Sequence, residues 1–243
     1  MKTALVTGIS KGIGRAIARK LVSDGYFVHG TYNTSKKEAE SLKFELKNLE
    51  IYQVDFSDRK QTLNFLQRIK NLKLDGLVNN AGTIVFEKFG DLKIENWDKV
   101  IEVNLHTPFI LSHSLRNQFN SGGVIVNIAS TDGLTGSFAS LSYSASKAGL
   151  INLTKSLGNV FGKKGMRVVS VSPGWVGSGM DSPAIKEAMD NNPLGRNARH
   201  EEIASVVTFL LSDGASFING QNIVVDGGYT NVDPILKKEA DSL

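Results

Sequence analysis

The chain has 243 residues, with 28 lysines and arginines against 24 aspartates and glutamates, so its formal net charge is +4. Hydrophobic residues make up 41% and charged residues 21%, the usage of a folded domain that buries about three quarters of its extended surface, which excludes whole-chain disorder. The absence of cysteine excludes disulfide staples, thiolate metal sites and a cysteine nucleophile, and it fits a reducing compartment, here expected to be the cytoplasm.

Short β-branched runs at 3–7, 27–31, 51–54, 76–79, 124–128, 167–171 and 222–225 read as strands. Amphipathic stretches at 12–23, 36–48, 58–70, 96–119, 142–162 and 200–212 read as helices. Strands separated by crossover helices cannot pair as hairpins, so the economical arrangement is a doubly wound parallel sheet with helices on both faces. No linker, repeat or low-complexity tract divides the chain, which predicts one α/β domain over residues 1–243. Ligands of such sheets bind beyond the carboxyl ends of the strands, so the residues after each strand are the ones to inspect.

The first strand ends in Thr7-Gly8-Ile9-Ser10-Lys11-Gly12-Ile13-Gly14 and passes straight into a helical pattern. Glycines let the backbone turn tightly and approach a diphosphate, while the helix behind them offers free N–H groups and the positive end of its dipole. The spacing G-x3-G-x-G suits a dinucleotide turn, and it also suits a plain tight βα turn. After the second strand no acid occurs between Gly25 and Lys37. The run Thr31-Tyr32-Asn33-Thr34-Ser35-Lys36-Lys37 offers hydroxyl, amide and ammonium groups instead. A carboxylate there would grip the ribose 2′-hydroxyl of NAD; its absence, with Lys11 and Arg15 across the way, points to the 2′-phosphate of NADPH. Lys36 and Lys37 also read as the opening of a solvated helix. Asp55, at the end of the third strand, is either an acceptor for the adenine amino group or a turn former, and Asp58 is a candidate N-cap. Asn79-Asn80-Ala81-Gly82, after the fourth strand, is small and amide-rich, suited to bracing the central sheet and to lying along the adenosine ribose.

Tyr143 and Lys147 form a Y-x-x-x-K pair, a spacing that puts both side chains on one face of a helix. A second copy, from Tyr32 to Lys36, falls in a turn where no such face is expected. Tyr143 differs by context, because Ser130 stands upstream at the mouth of the apolar run 124–129. A tyrosine, a lysine and a serine beside a nicotinamide suit carbonyl reduction, in which hydride delivery to carbon leaves an oxygen that needs a proton and a hydrogen bond. Tyr143 is the expected proton donor and Ser130 the holder of the oxygen. Lys147 is expected to bind the nicotinamide ribose and to draw the phenol toward its ionised form. Pro108 lacks an N–H, so the carbonyl of Asn104 loses its helical partner; it either holds a water that relays protons through Lys147, or marks only a kink.

The four histidines, at 29, 106, 113 and 200, show no metal spacing and read as surface or packing residues, so no metal is expected. Trp97 reads as packed, whereas Trp175 is placed to line a substrate mouth under a lid at about 175–200, and Met180 and Met189 either do the same or fill an apolar hinge. The tail 231–243 reads as mobile. Dispersed lysines argue against a nucleic-acid partner, and the apolar runs are too short for a membrane span. Met1 leads directly into a strand pattern with no signal-peptide core.

Taken together, the ordered set Thr7-Gly8-x3-Gly12-x-Gly14, Asn79-Asn80-Ala81-Gly82, Asn104, Ser130, Tyr143-x3-Lys147, Pro173-Gly174 and Asp226-Gly227-Gly228 resembles the short-chain dehydrogenase/reductase family over essentially the whole chain. The resemblance implies a seven-stranded Rossmann sheet, a tetrad of Asn104, Ser130, Tyr143 and Lys147, and a homotetramer or homodimer built on two long helices and the C-terminal strand. It places Ile9 and Gly14 along the diphosphate and Asp55 and Phe56 at the adenine, with Gly8, Ser10, Lys11, Gly12, Ile13, Asn33 and Thr34 also in the cofactor site. It further places Asn80, Ala81 and Gly82 at the ribose, and Pro173, Gly174, Val176 and Ser178 at the nicotinamide. Within the family the chain is most similar to 3-oxoacyl-[acyl-carrier-protein] reductases, which implies an NADPH-dependent reduction of a small-molecule ketone, a 3-oxoacyl thioester that is free or carrier-bound. A sugar, polyol or steroid-type alcohol dehydrogenase, and a cofactor-sensing regulatory protein, remain open beside it.

Overall fold

The computed structural model describes residues 1–177 and 189–243. Seven parallel strands form one sheet in the order β3-β2-β1-β4-β5-β6-β7. They are β1 (Thr3–Val6), β2 (Phe27–Tyr32), β3 (Leu49–Gln53), β4 (Leu74–Asn79), β5 (Phe119–Ile128), β6 (Arg167–Pro173) and β7 (Asn222–Val225). The helices are α1 (Gly12–Ser23), α2 (Lys36–Glu45), α3 (Arg59–Arg68), α4 (Ile94–Ile101), α5 (Thr107–Ser114), α6 (Asp132–Thr135), α7 (Leu141–Gly162), α8 (His200–Leu211) and α9 (Pro234–Asp241). The Rossmann sheet expected from the alternation is therefore present.

Strand chemistry explains the double winding. In β1, Ala4 and Val6 point to one face and Leu5 to the other, and all three are fully buried, as a strand covered on both faces requires. Ala4 and Val6 join Ile17, Leu21, Ile203 and Val207 in one core beneath α1 and α8. Leu5 joins Leu77, Leu111, Ile125, Leu157 and Phe161 in the second core on the opposite face. The strand order reverses between β1 and β4, and this switch point opens the crevice that faces the carboxyl ends.

Two expected elements differ. The stretch 96–119 is one helix in the sequence reading but is broken in the fold: α4 runs into a π-turn at Glu102–His106, and α5 ends at Ser114. Pro108 cannot donate to the carbonyl of Asn104, and the turn widens so that Thr107 N–H reaches the carbonyl of Glu102. The second difference is that β5 starts at Phe119, because Phe119 pairs with Leu74 and Val124 with Gly76, which throws the intervening residues out as a bulge. Gly123 permits it, since a Cβ there would lie 2.6 Å from the Phe119 ring. The tail read as mobile carries α9, capped by Asp233, whose carboxylate accepts from the N–H groups of Ile235 and Leu236 at 2.8 and 3.2 Å.

Candidate active site

The first βα turn is built for close approach. Gly8 sits at φ 74° and Gly12 at φ 58°, the left-handed region that only glycine enters freely. Gly14 has a different reason, because a Cβ there would lie 2.1 Å from the carbonyl of Gly8 and 2.4 Å from Asn80 Nδ2. Asn80 locks this turn: its amide donates to the carbonyls of Thr7 at 2.8 Å and Gly8 at 3.1 Å. Thr7 answers with its hydroxyl oxygen, which accepts from the N–H groups of Asn80 and Ala81 at 2.9 and 2.8 Å. The Asn80 side chain, expected along the ribose, is thus committed to the backbone of the glycine turn.

Beyond the turn lies a cavity of about 600 Å³. Gly8, Ser10, Lys11, Gly12, Ile13, Gly14, Asn33, Thr34, Asp55, Phe56, Asn80, Ala81, Gly82 and Val176 all line it, as the sequence reading requires. Ile9 does not; its side chain is fully buried against Gly30 in the core. Arg15 was expected across from the ribose, but it donates to the carbonyls of Ser10 and Glu38 at 3.4 and 3.1 Å and faces Glu45 at 3.6 Å. Lys36 pairs with Glu40 at 3.6 Å on a solvated helix face. Lys11 is therefore the expected cation that reaches the cavity. Asp55 turns its carboxylate toward Ser57, accepting from its N–H at 2.9 Å and its hydroxyl at 2.7 Å. Sequence reasoning missed Thr83 and Val103, which adjoin residues it did single out, and Lys99 and His200, which come to this cavity from segments without a motif.

A second cavity of about 360 Å³ shares Ile13, Asn80, Gly82, Thr83 and Val176 with the first, so the two are neighbouring parts of one cleft. Ser130, Tyr143, Lys147, Pro173, Gly174 and Trp175 line it. The i, i+4 spacing on α7 brings Tyr143 and Lys147 together, with the ammonium nitrogen 5.4 Å from the centre of the phenol ring. Lys147 is buried and donates to the carbonyl of Ile128 at 2.6 Å. Burial lowers its pKa from 10.5 to about 8. For Tyr143 the sequence reading expects a lowered pKa, whereas burial raises it, with the nearby Ser130 hydroxyl pulling the other way and the Asp132 carboxylate adding to the rise. Ser130 Oγ in turn accepts from the N–H of Asp132 at 3.1 Å.

Asn104 lines neither cavity and is 1% exposed. Its side chain clamps the loop after β4, accepting from Thr83 N–H and donating to the Thr83 carbonyl, both at 2.9 Å. It also donates to Ser146 Oγ at 3.1 Å, which donates to the Tyr143 carbonyl at 2.6 Å, so one amide joins the cleft wall to α7. Behind it, Asn79 donates to Asn127 at 2.8 Å and Asn127 to Thr154 at 2.9 Å, a buried ladder that braces β4, β5 and α7 as Asn79 was expected to do. At the far wall, Gly174 lets β6 pass the end of β7, since a Cβ there would lie 2.7 Å from that of Asp226. Asp226 ties the following turn through Gly228 N–H and Thr230 N–H, both at 2.9 Å. Gly177 N–H donates to the Ala198 carbonyl at 2.8 Å, tying together two segments of the stretch expected to form a lid. Ser178 and Met180 lie outside the described residues.

The cleft fits a dinucleotide on its own terms. Its glycine turn leaves no room for side chains at Gly8 and Gly14, the helix α1 opens beside it, and its wall presents Asn33, Thr34 and Lys11, groups that can donate to a 2′-phosphate. Likeness to known proteins points the same way. A short-chain dehydrogenase model described as enoyl-(acyl carrier protein) reductase matches residues 8–230. The chain is 37% identical over 239 residues to the 3-oxoacyl-[acyl-carrier-protein] reductase FabG of Staphylococcus aureus, covering 93% of this chain and 97% of that one. It is 34% identical over 243 residues to the 2-dehydro-3-deoxy-D-gluconate 5-dehydrogenase of Pseudoalteromonas atlantica, covering 94% and 95%. A short-chain dehydrogenase from Burkholderia cenocepacia, solved with NADP, superposes with a TM-score of 0.89 at 30% identity, over 94% of this chain and 98% of that one. Among the described residues no helix is long and apolar enough to cross a membrane. Fold, cleft and likeness all extend over nearly the full length, and the protein belongs to the short-chain dehydrogenase/reductase family as an NADP-dependent oxidoreductase.

Proposed function

We propose that this enzyme reduces a 3-oxoacyl thioester to the 3-hydroxyacyl product, with NADPH as the reductant. The observation that carries the reading is that Ser130, Tyr143 and Lys147 line one cavity, continuous with the dinucleotide cleft. Bound NADPH supplies a hydride to the carbonyl carbon. Tyr143 gives its phenolic proton to the carbonyl oxygen, so carbon gains the hydride, oxygen gains the proton and an alcohol results. Burial raises the Tyr143 pKa, which keeps the phenol protonated at neutral pH, the form a donor needs. Ser130 steadies the oxygen as charge develops there. Lys147 supplies positive charge beside the phenol, and Asn104, through Ser146, fixes the turn of α7 that carries Tyr143. Ser10, Lys11, Asn33 and Thr34 hold the phosphates and adenosine ribose, Asp55 and Phe56 flank the adenine, and Pro173, Val176 and Ser178 hold the nicotinamide end.

The apolar walls supplied by Ile84, Ile128, Trp175 and Val176 support an acyl chain, as does the identity with carrier-protein reductases. One observation favours a second reading: the half-buried Asp132, whose carboxylate lies near enough to Tyr143 to raise its pKa, would accept from the hydroxyl groups of a sugar acid. Exposed Phe209, Phe217 and Val224 around the edge strand β7 support a homotetramer or homodimer, which light scattering tests. The cysteine-free composition supports a cytoplasmic location.

The test is Tyr143→Phe, assayed by nicotinamide absorbance with acetoacetyl thioesters, diketones and keto-sugar acids. Turnover of the thioester should fall at least about a thousandfold while NADPH binding stays within a few-fold. Unchanged turnover would sink Tyr143 as the proton donor, an unmutated protein that binds NADPH and reduces none of these carbonyls would favour a cofactor sensor, and preferential reduction of the sugar acids would sink the thioester.

A further inference from the structure

We infer that His200 is an additional ligand of the dinucleotide, donating a hydrogen bond from its imidazole to the nicotinamide-side phosphate of the diphosphate. His200 is the first residue of α8 and lines the larger cavity. Its ring stands between two glycines that leave it space. A Cβ on Gly12 would lie 3.7 Å from His200 Nε2, which places the ring edge over the glycine turn. A Cβ on Gly177 would lie 2.9 Å from both Nε2 and Cε1, so no other residue type fits there while the ring keeps this position. Gly177 also has φ 88°, and follows Val176 at the nicotinamide end of the cleft. The imidazole thus stands between the glycine turn and the backbone at Gly177.

The two arginines that precede it are otherwise engaged. Arg196 donates to Glu202 at 2.8 Å, and Arg199 faces the same carboxylate at 3.4 Å. The His200 ring nitrogens make no hydrogen bond to any described residue, whereas His29 and His106 do. An imidazole beside the glycine turn, lining the cavity at the positive end of a twelve-residue helix, has a phosphate oxygen of the dinucleotide as its natural acceptor. A packing role alone would need a ring of this volume but no donor.

The inference rests on NADP(H) occupying the cleft, and calorimetry on the unmutated protein tests that first. His200→Leu keeps bulk and removes the donor; His200→Gln keeps a donor. NADPH should bind roughly tenfold more weakly to His200→Leu, about 1.4 kcal/mol, and close to normally to His200→Gln. Adenosine 2′,5′-bisphosphate lacks the nicotinamide-side phosphate and should bind both variants within about twofold of the parent. In the unmutated protein the His200 ring resonance should move on adding NADP+ and stay in place on adding the bisphosphate. That spectrum needs no variant to fold. Equal weakening of both ligands would show a packing residue, and an unchanged NADPH affinity or a ring signal indifferent to NADP+ would overturn the assignment. Failure of the parent to bind NADPH would instead strike at the cofactor itself.

Discussion

Lys147 offers a measurable conflict between stability and chemistry. Its ammonium is buried with one observed hydrogen bond, to the Ile128 carbonyl, and burial lowers its pKa from 10.5 to about 8. Below pH 8 the folded protein must keep a buried charge that the unfolded chain would hydrate, and that difference is about 3 kcal/mol against folding. Between pH 8 and 10.5 the folded lysine is neutral while the unfolded one is still charged, so the penalty fades as pH rises. Lys147→Met removes the penalty but leaves the Ile128 carbonyl without its donor, a loss of about 1–3 kcal/mol. At pH 7 the variant should therefore match the parent or exceed it by up to about 2 kcal/mol, while losing turnover. Urea unfolding at fixed protein concentration from pH 7 to 10.5 reads the effect. The parent should gain about 3 kcal/mol relative to the variant across that range. Parallel curves would refute a buried, strained ammonium.

Three further outcomes follow from contacts in the cleft. Gly14→Ala drives a methyl to 2.1 Å from the Gly8 carbonyl, so the turn must shift and NADPH affinity should fall at least tenfold by fluorescence titration. Asn104→Ala strips both polar groups of Thr83 of their partner and frees Ser146, which should destabilise the protein by about 2–4 kcal/mol in chemical denaturation and lower kcat more than it raises the NADPH KM. Lys11→Ala should raise the KM for NADPH several-fold and leave that for NADH nearly unchanged, and equal effects on both would remove Lys11 from the 2′-phosphate site.

The order of strands and helices was legible in the sequence because each element repeats a pattern at a spacing its own backbone enforces. The continuous apolar run of β1, the G-x3-G-x-G turn and the Y-x-x-x-K face are each decided within a few residues, so Gly8, Gly14, Tyr143 and Lys147 stand where their spacing puts them. Asp58 likewise caps α3, accepting from Lys60 N–H at 2.8 Å. The break at Pro108 was visible as a missing donor, but not the π-turn that absorbs it, because that depends on what α4 and α5 pack against.

What the chain settles alone is local: the turn that excludes side chains, the helix face that pairs a phenol with an ammonium, and the lack of an acid after β2. Tertiary packing decided the rest. It turned Asn80 and Asn104 into backbone clamps, tied Arg15 to carbonyls, raised the Tyr143 pKa by burial and brought His200 from far along the chain to the glycine turn. Which partner a polar side chain meets, and how much water it keeps, is fixed by segments distant in sequence, and no local spacing encodes either.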